Sequence, residues 1–87
     1  MEQNTGLELL TQAQTLLEET QAAFAAAHKS LPKEERRQIK RNIADMRKYL
    51  SRAKPETLGA ADEMDIRHGM LVLRASLDGL RELGKAR

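Results

Sequence analysis

The amino-acid sequence predicts an all-α protein, an antiparallel three-helix bundle forming one unit over residues 1–87. Three observations predict it. Only two prolines occur, Pro32 and Pro55, and they cut the chain into three stretches of helical length. Proline sits comfortably in the first turn of a helix or beyond its end, and poorly inside one. Within each stretch apolar residues recur at spacings of three and four, the signature of one helix face, while no stretch sustains the period-two alternation of a strand. Valine, the commonest strand former, occurs once.

The first helix is expected over about residues 7–29. Leu9, Ala13, Leu16, Thr20, Ala23 and Ala27 form one row, and Leu10, Leu17 and Phe24 a second row beside it. The combined face is wider than a two-helix seam needs, so this helix should touch more than one neighbour. The alanine-rich end has high helix propensity, and His28 and Lys29 complement the dipole in the last turn.

The second helix is expected over about residues 32–53. Ser30 or Leu31 occupies the cap region, Pro32 the first helical position, and Glu34 and Glu35 put negative charge in the first turn. Ile39, Ile43, Met46 and Leu50 make a single stripe, and Pro55 ends the helix at or before Lys54.

The third helix is expected over about residues 62–83, after Gly59-Ala60, with Asp62 as its candidate cap. Ile66, Met70, Leu73, Leu77 and Leu80 repeat the stripe of the second helix, widened by Val72 and Leu83. Gly84 reads as a helix stop. Gly69 lies beside the stripe, where close approach of another helix would explain a residue that costs about 1 kcal/mol relative to Ala. Gly79 has no such explanation from its position.

Composition narrows the function classes. With no Cys there is neither a disulfide framework nor a Cys-ligated metal. No apolar run approaches the roughly 18 residues of a membrane span. The N-terminal region lacks the basic and apolar segments of a secretory signal, so a cytoplasmic protein, or part of a larger one, is the expectation.

The net charge of +2 hides an asymmetry. Residues 1–29 carry net −3, residues 33–54 carry nine basic and three acidic groups, and residues 55–87 carry net −1. Arg37, Arg41, Lys48 and Arg52 line up along one side of the second helix. Such a stripe is expected to be a solvated face partly neutralised by the acidic first helix. The alternatives are a nucleic-acid backbone or an acidic protein partner. Aromatic residues are not interleaved with the stripe, as single-strand binding would require.

The chain offers no evident reactive centre, and an enzyme is not expected. His28 and His68 have no ligand-type residue three or four positions on, so no metal site is expected. Glu18-Glu19 and Glu34-Glu35 are adjacent carboxylates that diverge on a helix and do not make an acid/base pair. Ser30, Ser51 and Ser76 lack a nearby base, and the glycines form no phosphate loop. Met64 and Leu71 lie two turns apart, away from the main stripe of the third helix. They are ordinary single exposed residues or a second contact surface for a partner.

Three segments together resemble a known family. Asn4-Thr5-Gly6 with Leu9-Leu10 and Glu18-Glu19, then Leu31-Pro32-Lys33-Glu34-Glu35 leading into Ile39, Ile43, Met46 and Leu50, then the spacing of Ile66 to Leu80, are similar to the C-terminal helical lid of DnaK-type, seventy-kilodalton heat-shock chaperones. The order of the segments and the Leu-Pro junction carry most of the likeness. The first helix and the second connection, Ser51 to Asp65, are longer than the common pattern, which implies a divergent member. Leu7 stands near where the family often places a polar latch and cannot form a salt bridge.

The resemblance implies a function. In this family an ATPase domain drives a peptide-binding β-sandwich, and the helical segment closes over the sandwich and slows release of unfolded clients. Leu7, Leu9 and Leu10 would then face the sandwich. ATP and Mg would belong to the parent chaperone, with no cofactor in this segment. Self-association of the isolated segment through the Leu9/Leu10 side is a further expectation. The alternative readings are a free-standing helical interaction module and, more distantly, a nucleic-acid-binding bundle.

Overall fold

A computed structural model describes residues 5–85, so Asn4 of the Asn-Thr-Gly segment lies outside the described residues. The described chain forms α1 (Thr5–Ala27), α2 (Lys33–Arg52) and α3 (Ala60–Lys85), joined by single 3₁₀ turns at His28–Ser30 and Pro55–Thr57, with no strand among the described residues. The expected all-α three-helix bundle is the observed fold.

The helix ends follow from local chemistry. The first helix stops at Ala27, two residues earlier than its alanine-rich sequence suggests. Proline disfavours helical backbone in the residue before it, and Leu31 is extended (φ −92°, ψ 144°). The chain therefore tightens into a turn, with Leu31 N–H donating to the His28 carbonyl at 3.2 Å. Pro32 takes the N-cap position rather than the first helical one, with ψ at 152°. Its carbonyl accepts the first helical bond, from Arg36 N–H, at 3.0 Å.

The same device ends α2, because Lys54 precedes Pro55 and is extended (φ −127°, ψ 136°). α3 begins at Ala60, so Gly59 is its N-cap and its carbonyl accepts from Glu63 N–H at 3.0 Å. Asp62 is the third residue of α3, and its carboxylate accepts from Gly59 N–H at 3.5 Å, one half of a capping box. Gly84 does not stop α3. It lies within the helix, and no described glycine has the positive φ of a left-handed cap.

The helices run up, down, up. Gly6 at the start of α1 approaches the Pro55 carbonyl and Leu58, just before α3 begins. α1 packs most extensively on α3, and the bundle measures 44 × 22 × 15 Å. The core draws on all three helices: Leu9, Ala13, Leu16 and Leu17 from α1, Ile39, Ile43 and Met46 from α2, and Ile66, Leu73, Leu77 and Leu80 from α3. Leu10, Phe24, Leu31, Leu50, Leu58 and Met70 are partly buried around it. Burying each such aliphatic side chain contributes about 2 kcal/mol, which is what a domain of this size depends on.

Two polar features lie in or beside the core. Thr20 is fully buried, and its hydroxyl donates to the Leu16 carbonyl one turn back at 2.7 Å, so it brings no unsatisfied group into the core. Between α2 and α3, Asn42 donates to the Ser76 hydroxyl at 3.4 Å while accepting from Gln38 at 3.0 Å.

Candidate interaction surfaces

The residues expected to contact a β-sandwich separate in the structure. Leu9 is 3% exposed and belongs to the core. It cannot meet a second domain without opening the bundle, so its assignment as a lid contact is corrected. Leu10 is half-buried and packs against the same core. Both contribute to the core because a helix as wide-faced as α1 packs against two neighbours. Leu7 alone stays open, at 50% exposure, on a shallow groove with Glu8, Thr11 and Gln12. Of the Leu9/Leu10 side expected to self-associate, only the half-buried Leu10 remains accessible.

Met64 and Leu71 are the most exposed large apolar residues described, at 71% and 70%. They lie seven positions apart and so share the outer face of α3. Tyr49, near the end of α2, is also exposed.

Arg37, Arg41, Lys48 and Arg52 all lie exposed on α2. They are not the only cationic row. Lys33, Arg36, Lys40 and Arg47, at spacings of three, four and seven, form a second row turned toward α1. Its residues follow the same helical periodicity as the first row, on the adjoining side of α2.

The cations of α2 make no direct ion pair with the acids of α1 among the described residues. Among the described residues no α2 cation forms an ion pair, and the one described pair is Arg67 Nε to Glu63 Oε1 at 3.3 Å within α3. The acids of α1 lie elsewhere. Glu8 lies in the shallow groove with Leu7, Glu18 accepts from the Gln14 amide at 3.1 Å, and Glu19 lines the α1–α3 groove with Met70 and Arg74.

The second row lines an open groove between α1 and α2. At its C-terminal α2 end the lining is Gln21, Phe24, Lys40, Ile43, Ala44 and Arg47. At the other end it is His28, Lys33, Arg36, Arg37 and Lys40. The His28 ring packs on Phe24, with centroids 5.8 Å apart, and its Nδ1 lies 3.2 Å from the Ala25 carbonyl. His68 is exposed on α3, well away from His28 in sequence and on another helix. Among the described residues no three His, Asp or Glu side chains converge on one point.

No helix among the described residues is long and apolar enough to cross a membrane. Comparison with protein-family models, with curated proteins and with solved structures finds no match for this chain.

Proposed function

We propose that the chain is the non-catalytic helical lid of a DnaK-type, ATP-dependent chaperone, closing over a peptide-binding β-sandwich of the same protein in the cytoplasm and slowing the release of unfolded polypeptides. The observation that carries this reading is the Leu31-Pro32 junction in its context. Leu31 is partly buried on the core, Pro32 opens α2, and the stripe Ile39, Ile43, Met46 closes against α1. These residues make up the second of the three segments on which the resemblance rests. The likeness is one of pattern and fold, and function is argued from it by analogy.

Contact with the sandwich would fall to Leu7 and its neighbour Thr11 on the outer face of α1, since Leu9 is in the core. ATP and Mg would act in the parent chaperone only. A lid of this kind acts on the dissociation rate, by adding a step of opening before the client can leave.

The test is a graft. Residues 1–87 replace the lid of a DnaK-type chaperone, and release of a fluorescent apolar peptide is followed with ADP bound. Release several-fold slower than from the lidless chaperone, with basal ATP hydrolysis unchanged, is the expected result. Release as fast as from the lidless form would remove the assignment.

A free-standing interaction module is the second reading. It is favoured by Met64 and Leu71, two large apolar side chains presented together on α3. A nucleic-acid-binding bundle is the third, resting on the α2 cations alone.

A further inference from the structure

We propose that the groove between α1 and α2 binds an acidic amphipathic segment of a partner protein. The inference is independent of the lid reading, which uses the outer face of α1. The groove combines two features that complement an acidic amphipathic segment. Its floor is apolar, made by half-buried Phe24, buried Ile43 and exposed Ala44. Its α2 wall is a run of cations, Lys33, Arg36, Lys40 and Arg47, with no carboxylate paired to any of them.

Each cation of that wall repels the next. Four like charges spaced three to seven positions apart on one helix face destabilise it modestly, and none of the four has a carboxylate beside it to offset that repulsion. One wall residue is held in place. With the Gln21 amide oxygen turned toward α2, it accepts from Arg47 Nε at 2.9 Å and from Nη2. The guanidinium is thereby fixed at the groove edge, which lowers the ordering cost of a carboxylate contact.

The ligand chemistry follows. Carboxylates would meet Lys33, Arg36, Lys40 and Arg47, and a large apolar side chain would cover Phe24, Ile43 and Ala44. The cations from Lys33 to Arg47 span about 21 Å at the rise of a helix, roughly four turns of a docked segment, with the apolar floor at the Lys40–Arg47 end. An amphipathic helix laid in a groove is a recurring mode of recognition. Nucleic acid fits less well. Phe24 is half-buried, and no second Phe, Tyr or Trp lines the groove to continue a stack of bases. A phosphate backbone would also draw equally on Arg41, Lys48 and Arg52, which lie outside the groove.

The experiment measures binding of three labelled probes to the full chain by fluorescence anisotropy at low and moderate salt. They are a four-turn Glu-rich peptide with leucines on one face, the same peptide with those leucines changed to glutamine, and a single-stranded DNA of matching length. Three variants are compared: K40E/R47E in the groove, R41E/K48E outside it with the same charge change, and A44E on the floor. Ala44 is exposed, and glutamate there sits one turn from both Lys40 and Lys48, so A44E should fold; helical circular dichroism checks all three.

The amphipathic peptide should bind best. K40E/R47E and A44E should each weaken it by roughly tenfold or more, and R41E/K48E by less than about threefold. Equal losses from the two charge-reversal pairs, equal binding of the peptide without leucines, or tighter binding of the DNA would each overturn the proposal.

Discussion

A Cβ added to Gly69 of α3 would stand 2.7 Å from the Cε of Met46 on α2. Met46 is 1% exposed, so its methyl group has no solvent to move into. The close approach that the sequence suggested for Gly69 is therefore real, and it identifies the neighbour. Gly79, ten residues on in the same helix, has nothing within 4 Å of an added Cβ. The two positions separate helix propensity from packing.

Gly79→Ala should stabilise the bundle by about 1 kcal/mol, raising Tm by roughly 4–8 °C, because it gains propensity without a steric cost. Gly69→Ala gains the same propensity but must displace Met46 within a filled core, and should show no net gain. Urea unfolding of both variants checks this. An equal increase at the two sites would mean that Met46 shifts freely and that the α2–α3 approach is loose.

Leu7 and Leu9 make a second pair of opposites. Leu9→Asp buries a carboxylate in the core and should cost more than about 4 kcal/mol, enough to abolish the folded state of a small bundle. Leu7→Asp should change stability by less than about 0.5 kcal/mol, since half of that side chain already faces water. Circular dichroism during heating distinguishes them. In the grafted chaperone, Leu7→Asp is then the usable probe of the lid contact, and peptide release should speed up. A Leu9→Asp chain that melts like the wild type would place Leu9 outside the core.

The contrast shows what the sequence could and could not reveal. The stripes of α2 and α3 were legible because each follows a single row, so that Ile39, Ile43, Met46 and Ile66, Leu73, Leu77, Leu80 all reach the core. Leu9 and Leu10 were not, because α1 has two rows, and periodicity does not reveal which row a neighbour covers. Gly84 misled because a glycine stops a helix only when it adopts positive φ, and nothing in the pattern fixes φ. The α1–α2 groove was invisible for a related reason. Its floor joins Phe24 to Ile43 and Ala44, residues brought together only by the antiparallel turn at His28–Ser30.

Thr20 tests how much of the core is constrained by polar detail. Its hydroxyl donates to the Leu16 carbonyl, which is also in line to accept the ordinary helical bond from Thr20 N–H. Removing the hydroxyl therefore orphans nothing. Thr20→Val replaces a buried hydroxyl with a methyl and should stabilise by about 0.5–1 kcal/mol. Chemical denaturation measures it. A loss above about 1 kcal/mol would show that the hydroxyl carries more than a local bond and that the α1 register depends on it.

The self-association expected from the sequence finds its most exposed large apolar side chains on a different face. Met64 and Leu71 of α3 are more exposed than Leu7 of α1 or Tyr49 of α2. Two side chains cover far less than the roughly 1,000 Å² of a stable interface, so the association should be weak and concentration-dependent. Sedimentation velocity over rising concentration should show the wild-type chain moving toward a dimer, and Met64→Gln with Leu71→Gln should hold it as a monomer. Both residues are about 70% exposed, so the double variant should melt with the wild type. A wild-type chain that stays monomeric at the highest concentration, or a double variant that dimerises equally, would remove α3 as a self-association face. The apolar pair would then be single exposed residues of the ordinary kind.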